Sequence, residues 1–246
     1  MTYCVGILVR EGLVMMADTR TNAGIDNIAT FRKLHVFEKP GECVMAIATA
    51  GNLAVSQSVL TLIGEGMEDR DSQIVQTITD MPSMFKAAQF VGRAIREVQR
   101  ADGGALEQSM PGAFDVSMLL GGQVKGGRLR LFMIYSAGNF IEATTDTPYL
   151  QIGEHKYGKP ILDRSVTEQT SLDEALKLAL ISMDSTIRSN LGVGLPIDLV
   201  TVKRDALKTE LNYRIEAAEP YFHDLRERWS AALRAAHKAI PPPPYK

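Results

Sequence analysis

The chain has 246 residues, of which 45% are hydrophobic and 23% are charged, and its formal net charge is −2. This composition is typical of a globular protein with a substantial core, and the charge balance excludes the strongly basic surface of a nucleic-acid-binding protein. No apolar run approaches the roughly 20 residues needed to span a bilayer, and no secretory signal peptide is recognisable. We therefore expect a cytoplasmic protein with neither a membrane nor a nucleic-acid partner.

The cysteines and histidines indicate no cofactor. Cys4 and Cys43 lie inside apolar runs, which favours buried thiols over a disulfide. The four histidines lack the spacing of metal ligands. We therefore expect neither a metal site nor any other cofactor.

The chain is predicted to begin with strands in antiparallel pairs. A turn at Glu11-Gly12 joins the first two strands in a hairpin, because glycine readily adopts the positive φ of such turns. A polar loop, Thr19 to Arg32, separates this hairpin from a second pair that turns at Pro40-Gly41. The strands expected here are Tyr3–Val9, Leu13–Ala17, Leu34–Phe37 and Cys43–Ala48.

Helices and a second group of strands follow. Apolar residues at helical spacing indicate helices over Leu53–Gly64 and Ser83–Arg100, the second of which we expect to end at Gly103-Gly104. Later in the chain, Ser171 and Glu174 form a capping box that opens another helix. The remaining expected strands are Asp115–Leu120, Leu129–Tyr135, Phe140–Ala143, Tyr149–Ile152 and Ile197–Val202.

The order of these elements predicts the fold class. Strands grouped in antiparallel blocks, with helices between the blocks, favour an α+β fold over alternating βαβ units. Two sheets packed face to face, each covered by helices, would use every apolar face of the predicted elements.

The C-terminal part of the chain has a different character. We predict one domain over residues 1–203 and a helical extension over residues 204–246 that ends in the proline run Pro241–Pro244. Apolar residues recur at helical spacing along this extension at Phe222, Leu225, Trp229, Leu233 and Ala236. Such a stripe packs either on its own domain or on a neighbouring subunit, and the pattern favours neither.

Thr2 is a candidate nucleophile if Met1 is removed. A threonine hydroxyl needs a base, and the freed α-amine, with a reference pKa of about 8, could accept its proton. A nearby lysine would keep the amine neutral, and an aspartate would hold the lysine. Asp18 and Lys33 could supply these groups, since the hairpin returns Asp18 to the strand end near Thr2. Each residue also has an ordinary explanation, such as a turn aspartate or a solvated lysine.

Several segments together resemble a proteasome β-type subunit, a family of N-terminal nucleophile hydrolases. The resemblance spans roughly residues 2 to 203 and rests on Thr2–Ile7, Gly12–Arg20, Phe31–Leu34, Met45–Leu53 and Ile197–Val200. Within the family the chain is most similar to the bacterial Anbu type, on the evidence of Pro148–Leu162, Ser189–Leu191, Gly194–Pro196 and the long C-terminal extension.

The resemblance implies a fold and a set of catalytic residues. The family fold is a four-layer αββα sandwich of two antiparallel sheets. Thr2 corresponds to the nucleophile and base, and Asp18 and Lys33 correspond to the residues that support it. The backbone N–H of Ala48 corresponds to the group that helps to hold the oxyanion.

Some positions depart from the family pattern. Ala48 stands where the family has glycine, and Glu154 stands where a serine is expected after Gly153. Asn190 and Gly192 fall near the positions of the aspartate and serine that brace the terminal amine in the family. These differences concern the surroundings of the amine and leave the candidate nucleophile in place.

We therefore expect a self-assembling, proteasome-like threonine hydrolase that cleaves amide bonds, and specifically peptide bonds, inside a ring-like or helical homo-oligomer. Its substrate would be a peptide or an unfolded protein, and no unfoldase partner is evident from the sequence. One alternative is a weakly active or inactive subunit that serves assembly or peptide binding. A small-molecule amidase with the same chemistry is another.

Overall fold

The computed structural model describes residues 1–22, 28–68, 73–109 and 112–245. The strands of its two main sheets are β1 (Tyr3–Leu8), β2 (Gly12–Asp18), β5 (Leu34–Lys39), β6 (Cys43–Gly51), β9 (Val116–Val124), β10 (Arg130–Ile134), β11 (Phe140–Glu142), β12 (Tyr149–Gly153), β13 (Ile197–Lys203) and β14 (Leu211–Ile215). Two small ribbons are formed by β3 (Arg20–Asn22) with β4 (Ile28–Thr30) and by β7 (Met67–Glu68) with β8 (Val75–Gln76). The α-helices are α1 (Leu53–Glu65), α2 (Met84–Ser109), α3 (Lys159–Ser165), α4 (Leu172–Ser189) and α5 (Pro220–Ala239).

The ten strands outside the two small ribbons form two five-stranded sheets. The first sheet has the order β12-β1-β2-β13-β14 and the second has the order β11-β10-β9-β6-β5. All pairings within them are antiparallel. Strand β2 is buried along its whole length because strands flank it on both sides and other layers cover both of its faces.

Three apolar clusters hold four layers together. Leu13, Met15 and Val44 belong to the cluster between the sheets. Helices α1 and α2 bury their apolar faces on the second sheet, and α3, α4 and the start of α5 do so on the first. Each layer thus buries its apolar face against the next, and the predicted αββα sandwich is confirmed.

Helix α2 is longer than predicted. It passes through Gly103 and Gly104 and ends at Ser109. Each glycine costs about 1 kcal/mol of helix propensity relative to alanine. The last turns are favoured nevertheless because Leu106, two turns beyond the buried Val98, packs against the same core. Among the described helices, neither α2 nor any other is both long and apolar enough to cross a membrane.

The structure also contains elements that the sequence pattern did not predict. The polar loop from Thr19 to Arg32 holds β3 and β4, and its residues 23–27 lie outside the described residues. Strand β14 is mostly exposed, so it lacks a clear alternating pattern. A bidentate ion pair anchors β14 to β13: the Arg214 guanidinium contacts both carboxylate oxygens of Asp198, the residue opposite it, at 2.7 and 2.8 Å. The domain boundary at residue 203 stays a prediction, although β14 beyond it pairs with β13.

Helix α5 is docked only by its first half. Phe222 and Leu225 are buried against α4, and Arg226 Nε lies 2.6 Å from the fully buried carboxylate of Asp184 on that helix. From residue 231 to residue 245 every position is exposed. The distal half of α5 therefore extends beyond the sandwich that its proximal half contacts.

Phe222→Ala should test how α5 is held. Phe222 is 2% exposed and its neighbour Tyr221 is 55% exposed. Removing the buried ring should lower the free energy of unfolding by about 3–5 kcal/mol, through lost burial and the cavity left behind. Tyr221→Ala is the matched control and should change it by less than about 0.5 kcal/mol. Equal effects in urea unfolding would contradict the docked arrangement.

Candidate active site

Thr2 directly precedes β1, and the strand geometry fixes its orientation. Side chains alternate between the two faces of a strand, so Thr2 shares the face of Cys4, which is buried between the sheets. Tyr3 points to the opposite face and is fully buried, with its hydroxyl 2.5 Å from Ser182 Oγ on α4. Burial raises the pKa of the Tyr3 phenol. Tyr3, the residue after Thr2, is therefore held both by its place in β1 and by its side-chain contact with α4.

The backbone of Thr2 is held by strand β12. The N–H of Glu154 donates to the Thr2 carbonyl oxygen at 2.7 Å. Gly153 has a φ of +78°, and a Cβ at this position would lie 2.0 Å from the Thr2 oxygen. Only glycine allows so close an approach of the two backbones. The position of the Thr2 backbone is thus fixed by the backbone at the end of β12.

Asp18 and Lys33 form a buried ion pair next to this terminus. Asp18 Oδ1 accepts hydrogen bonds from the Tyr3 N–H and from Lys33 Nζ, both at 3.0 Å, while its Oδ2 accepts one from the Gly194 N–H at 3.4 Å. Burial raises the pKa of the Asp18 carboxyl, and Lys33 and the two backbone donors oppose this rise.

Lys33 is held at a second point as well. Its Nζ donates to the Arg20 carbonyl oxygen at 2.6 Å, and its side chain is 4% exposed. An ammonium group has three N–H donors, so these two bonds leave one donor for a further group. The structure thus brings Asp18 and Lys33 to the end of the sandwich where Thr2 lies.

The strand register bears on the predicted oxyanion role of Ala48. The Thr49 N–H donates to the Lys33 carbonyl oxygen at 2.9 Å, on the β5 side of β6. Because successive residues of an antiparallel strand point their N–H groups to opposite sides, the Ala48 N–H faces β9. The Gly51 N–H points to the β5 side, but β5 begins only at Leu34, opposite Ala48. This geometry favours Gly51 over Ala48 as an oxyanion donor.

Glu154 and Asn190 contact each other beside the terminus. Asn190 Nδ2 donates to Glu154 Oε2 at 3.2 Å, and Asn190 Oδ1 accepts the Gly192 N–H at 2.9 Å. Met1 packs on the same loop, since a Cβ added to Gly192 would lie 2.6 Å from Met1 Cβ. The contact between Glu154 and Asn190 thus joins the end of β12 to the loop after α4, and Gly192 of that loop lies against Met1.

Comparison with known proteins adds to this geometry. The family model described as "Proteasome subunit" matches residues 2–202, which is most of the chain. The chain belongs to the proteasome subunit family. A curated member, proteasome subunit beta 1 of Pyrobaculum arsenaticum, is 24% identical over 216 residues, covering 85% of this chain and 93% of that protein.

Solved structures of Anbu proteins resemble the chain over nearly its whole length. Anbu from Hyphomicrobium sp. strain MC1 is 48% identical with a TM-score of 0.90, covering 99% of this chain and 100% of that one. Anbu from Yersinia bercovieri, described as an ancestral beta-subunit, is 46% identical with a TM-score of 0.90 and the same coverage. The Anbu complex from Pseudomonas aeruginosa, described as a helical assembly, is 47% identical with a TM-score of 0.89, covering 98% of each chain.

Lys33→Met should reveal the buried charge of Asp18. Removing one partner of a buried ion pair typically costs about 3–5 kcal/mol, which we expect in the free energy of unfolding at pH 7. Without the cation, the Asp18 pKa rises further above its unfolded value of about 4. A carboxyl whose pKa is raised by folding binds its proton more tightly in the folded state, so the deficit should shrink as pH falls towards 4.

The matched control adds Asp18→Asn to Lys33→Met, which removes the stranded charge. This double variant should regain part of the stability at pH 7 and lose the pH dependence of the deficit. Denaturant unfolding at several pH values measures both effects. A deficit in Lys33→Met that stays constant between pH 7 and pH 4 would contradict the arrangement.

Proposed function

We propose that this protein is a threonine-type N-terminal nucleophile hydrolase that cleaves amide bonds in peptide substrates. The observation that carries the proposal is the buried Lys33–Asp18 pair, which is bonded to the N–H of the residue directly after Thr2. Burying two charges is costly, and here both are held by backbone groups at the strand terminus. Membership of the proteasome subunit family supports the same chemistry.

In the proposed mechanism, removal of Met1 exposes the α-amine of Thr2. The amine accepts the hydroxyl proton, directly or through one water, as Oγ1 attacks the substrate carbonyl carbon. The Lys33 ammonium disfavours a second positive charge and so keeps the amine available as a base. The developing oxyanion would accept a hydrogen bond from the Gly51 N–H. The amine then gives its proton to the leaving nitrogen, and water releases the acyl group from Thr2.

An extended peptide fits the open side of β6 better than a compact small molecule does. Beyond the Lys33–Thr49 hydrogen bond, β6 continues to Gly51 without β5 beside it. Unpaired backbone groups on a strand edge bind extended peptides through main-chain hydrogen bonds. This favours a peptidase over a small-molecule amidase. A subunit that binds peptides with little or no turnover remains the second candidate, because Glu154 and Asn190 replace the family's bracing groups.

We propose further that the protein acts as a homo-oligomer, with a ring-like or helical arrangement. The distal half of α5 is exposed on all sides and carries Leu233 at 52% exposure, and Ile240, which directly follows the helix, is 70% exposed. Apolar side chains on an extended helix gain free energy when another surface covers them. The relative from Pseudomonas aeruginosa is described as a helical assembly. We assign the distal half of α5 to contacts with a second copy of the chain.

Covalent labelling tests the catalytic proposal. A peptide epoxyketone bonds to both the hydroxyl and the free α-amine of one terminal threonine, so a single adduct should appear on chains that begin at Thr2. Thr2→Ala should abolish the adduct, and Thr2→Ser should retain it at a reduced rate. Intact-mass spectrometry measures the adduct and the removal of Met1 together. An adduct that persists in Thr2→Ala, or none on chains that begin at Thr2, would overturn the mechanism.

Leu233→Asp tests the assembly. The contact between subunits would bury the new carboxylate, which is unfavourable without a partner. The mass measured by size-exclusion chromatography with light scattering should therefore fall towards that of smaller species. Ala235→Asp places the same charge two residues further along the same exposed segment and should leave the mass unchanged. An unchanged mass in Leu233→Asp would exclude this part of α5 from the interface.

A further inference from the structure

Glu154 contains a buried oxygen without a hydrogen-bond partner. Its side chain is 7% exposed, and Oε1 is one of only two buried side-chain polar atoms that lack a partner within the described residues. Lys156 Nζ lies 3.6 Å from Oε1, beyond hydrogen-bonding distance, and the Lys156 side chain is 72% exposed. A buried acceptor left unpaired costs about 1–3 kcal/mol, and more when it is charged. The position therefore calls for a donor that the chain with Met1 in place does not supply.

The surroundings of Oε1 indicate which donor is missing. The backbone N–H of Glu154 already holds the Thr2 carbonyl oxygen, and Asn190 holds the other carboxylate oxygen of Glu154. The loop that carries Asn190 and Gly192 lies against Met1. Glu154 is thus bonded to Thr2 on one side of the Met1–Thr2 peptide bond and to the loop that lies against Met1 on the other. Cleavage of that bond creates a new group with up to three N–H donors in this neighbourhood.

We propose that the Glu154 carboxylate accepts a hydrogen bond from the α-amine of Thr2 once Met1 has been removed. Glu154 then acts as a positioning residue, oriented by Asn190, that holds the amine beside the Thr2 hydroxyl. This inference rests on the proposed function and adds to it the group that holds the base. It assigns to an anion the place where the resemblance to the family predicted a serine.

The charges around the amine act in opposite directions. Glu154 stabilises the ammonium form, whereas Lys33 and the exposed Lys156 stabilise the neutral amine. Asp18 is engaged with Lys33, and Arg20 donates to the Leu191 carbonyl oxygen of the opposing loop at 3.0 Å. Because Glu154 is the anion not engaged by a buried cation, its removal should lower the pKa of the Thr2 amine.

The pH dependence of labelling tests the inference. Chains that begin at Thr2, verified by intact mass, are reacted with the epoxyketone between pH 5 and pH 9. The labelling rate should rise with pH as the amine becomes neutral. In Glu154→Gln the midpoint of this rise should move down by about one pH unit, since an opposite charge at such range shifts a pKa by about 1–3 units.

Two further variants complete the test. Glu154→Ser also removes the charge and should move the midpoint in the same direction. The test therefore remains possible if one of the two variants fails to fold. Glu174→Gln removes an exposed carboxylate at the start of α4 and should leave the midpoint unchanged. An unchanged midpoint in the Glu154 variants overturns the inference while the proposed function stands. Failure of the wild-type chain to label overturns the proposed function itself.

Discussion

The buried ion pair of Lys33 and Asp18 connects the two sheets of the sandwich. Asp18 ends β2 in the first sheet, and Lys33 precedes β5 in the second. Two buried charges are tolerated only when every remaining donor and acceptor around them is satisfied. The N–H groups of Tyr3 and Gly194 and the carbonyl of Arg20 meet most of that demand and leave one N–H donor of Lys33 for a further group. One interaction thus fixes the first strand, the loop before β13 and the segment that leaves β2.

Much of this arrangement could be predicted from local patterns. Alternating and helical periodicities predicted two sheets covered by helices, and the predicted hairpin returned Asp18 to the strand end near Thr2. The Gly194 N–H could not be predicted, because its loop reaches Asp18 only through the packing of α4 on the first sheet. Ala48 and Gly51 show another limit. The side to which a backbone N–H points depends on strand register, which the segment MAIATAGNL does not contain. Helix α2 continues through two glycines because Leu106, beyond them, packs against the core. Local helix propensity does not contain this tertiary contact.

In the proposed mechanism, the surroundings of the Thr2 amine combine opposite electrostatic demands. A base must be neutral to accept a proton, and Lys33 favours that state. The same base must also be held in place, and a carboxylate such as Glu154 holds an amine firmly by favouring its charged state. A serine would position the amine without this effect. If Glu154 holds the amine as proposed, a smaller fraction of the amine is neutral at pH 7 but the amine is held more firmly, and Asn190 adds to that hold without contributing charge.

The contact between Met1 and Gly192 gives the first residue a role of its own. While Met1 is present, its side chain covers the loop that carries Asn190, and its peptide bond occupies the position of the terminal amine. In the proposed mechanism, Met1 must be removed before the Thr2 amine can act as a base. Removal of this covering residue and exposure of the amine would then be one and the same step. The fraction of active subunits in an assembly would then be set by the extent of Met1 removal.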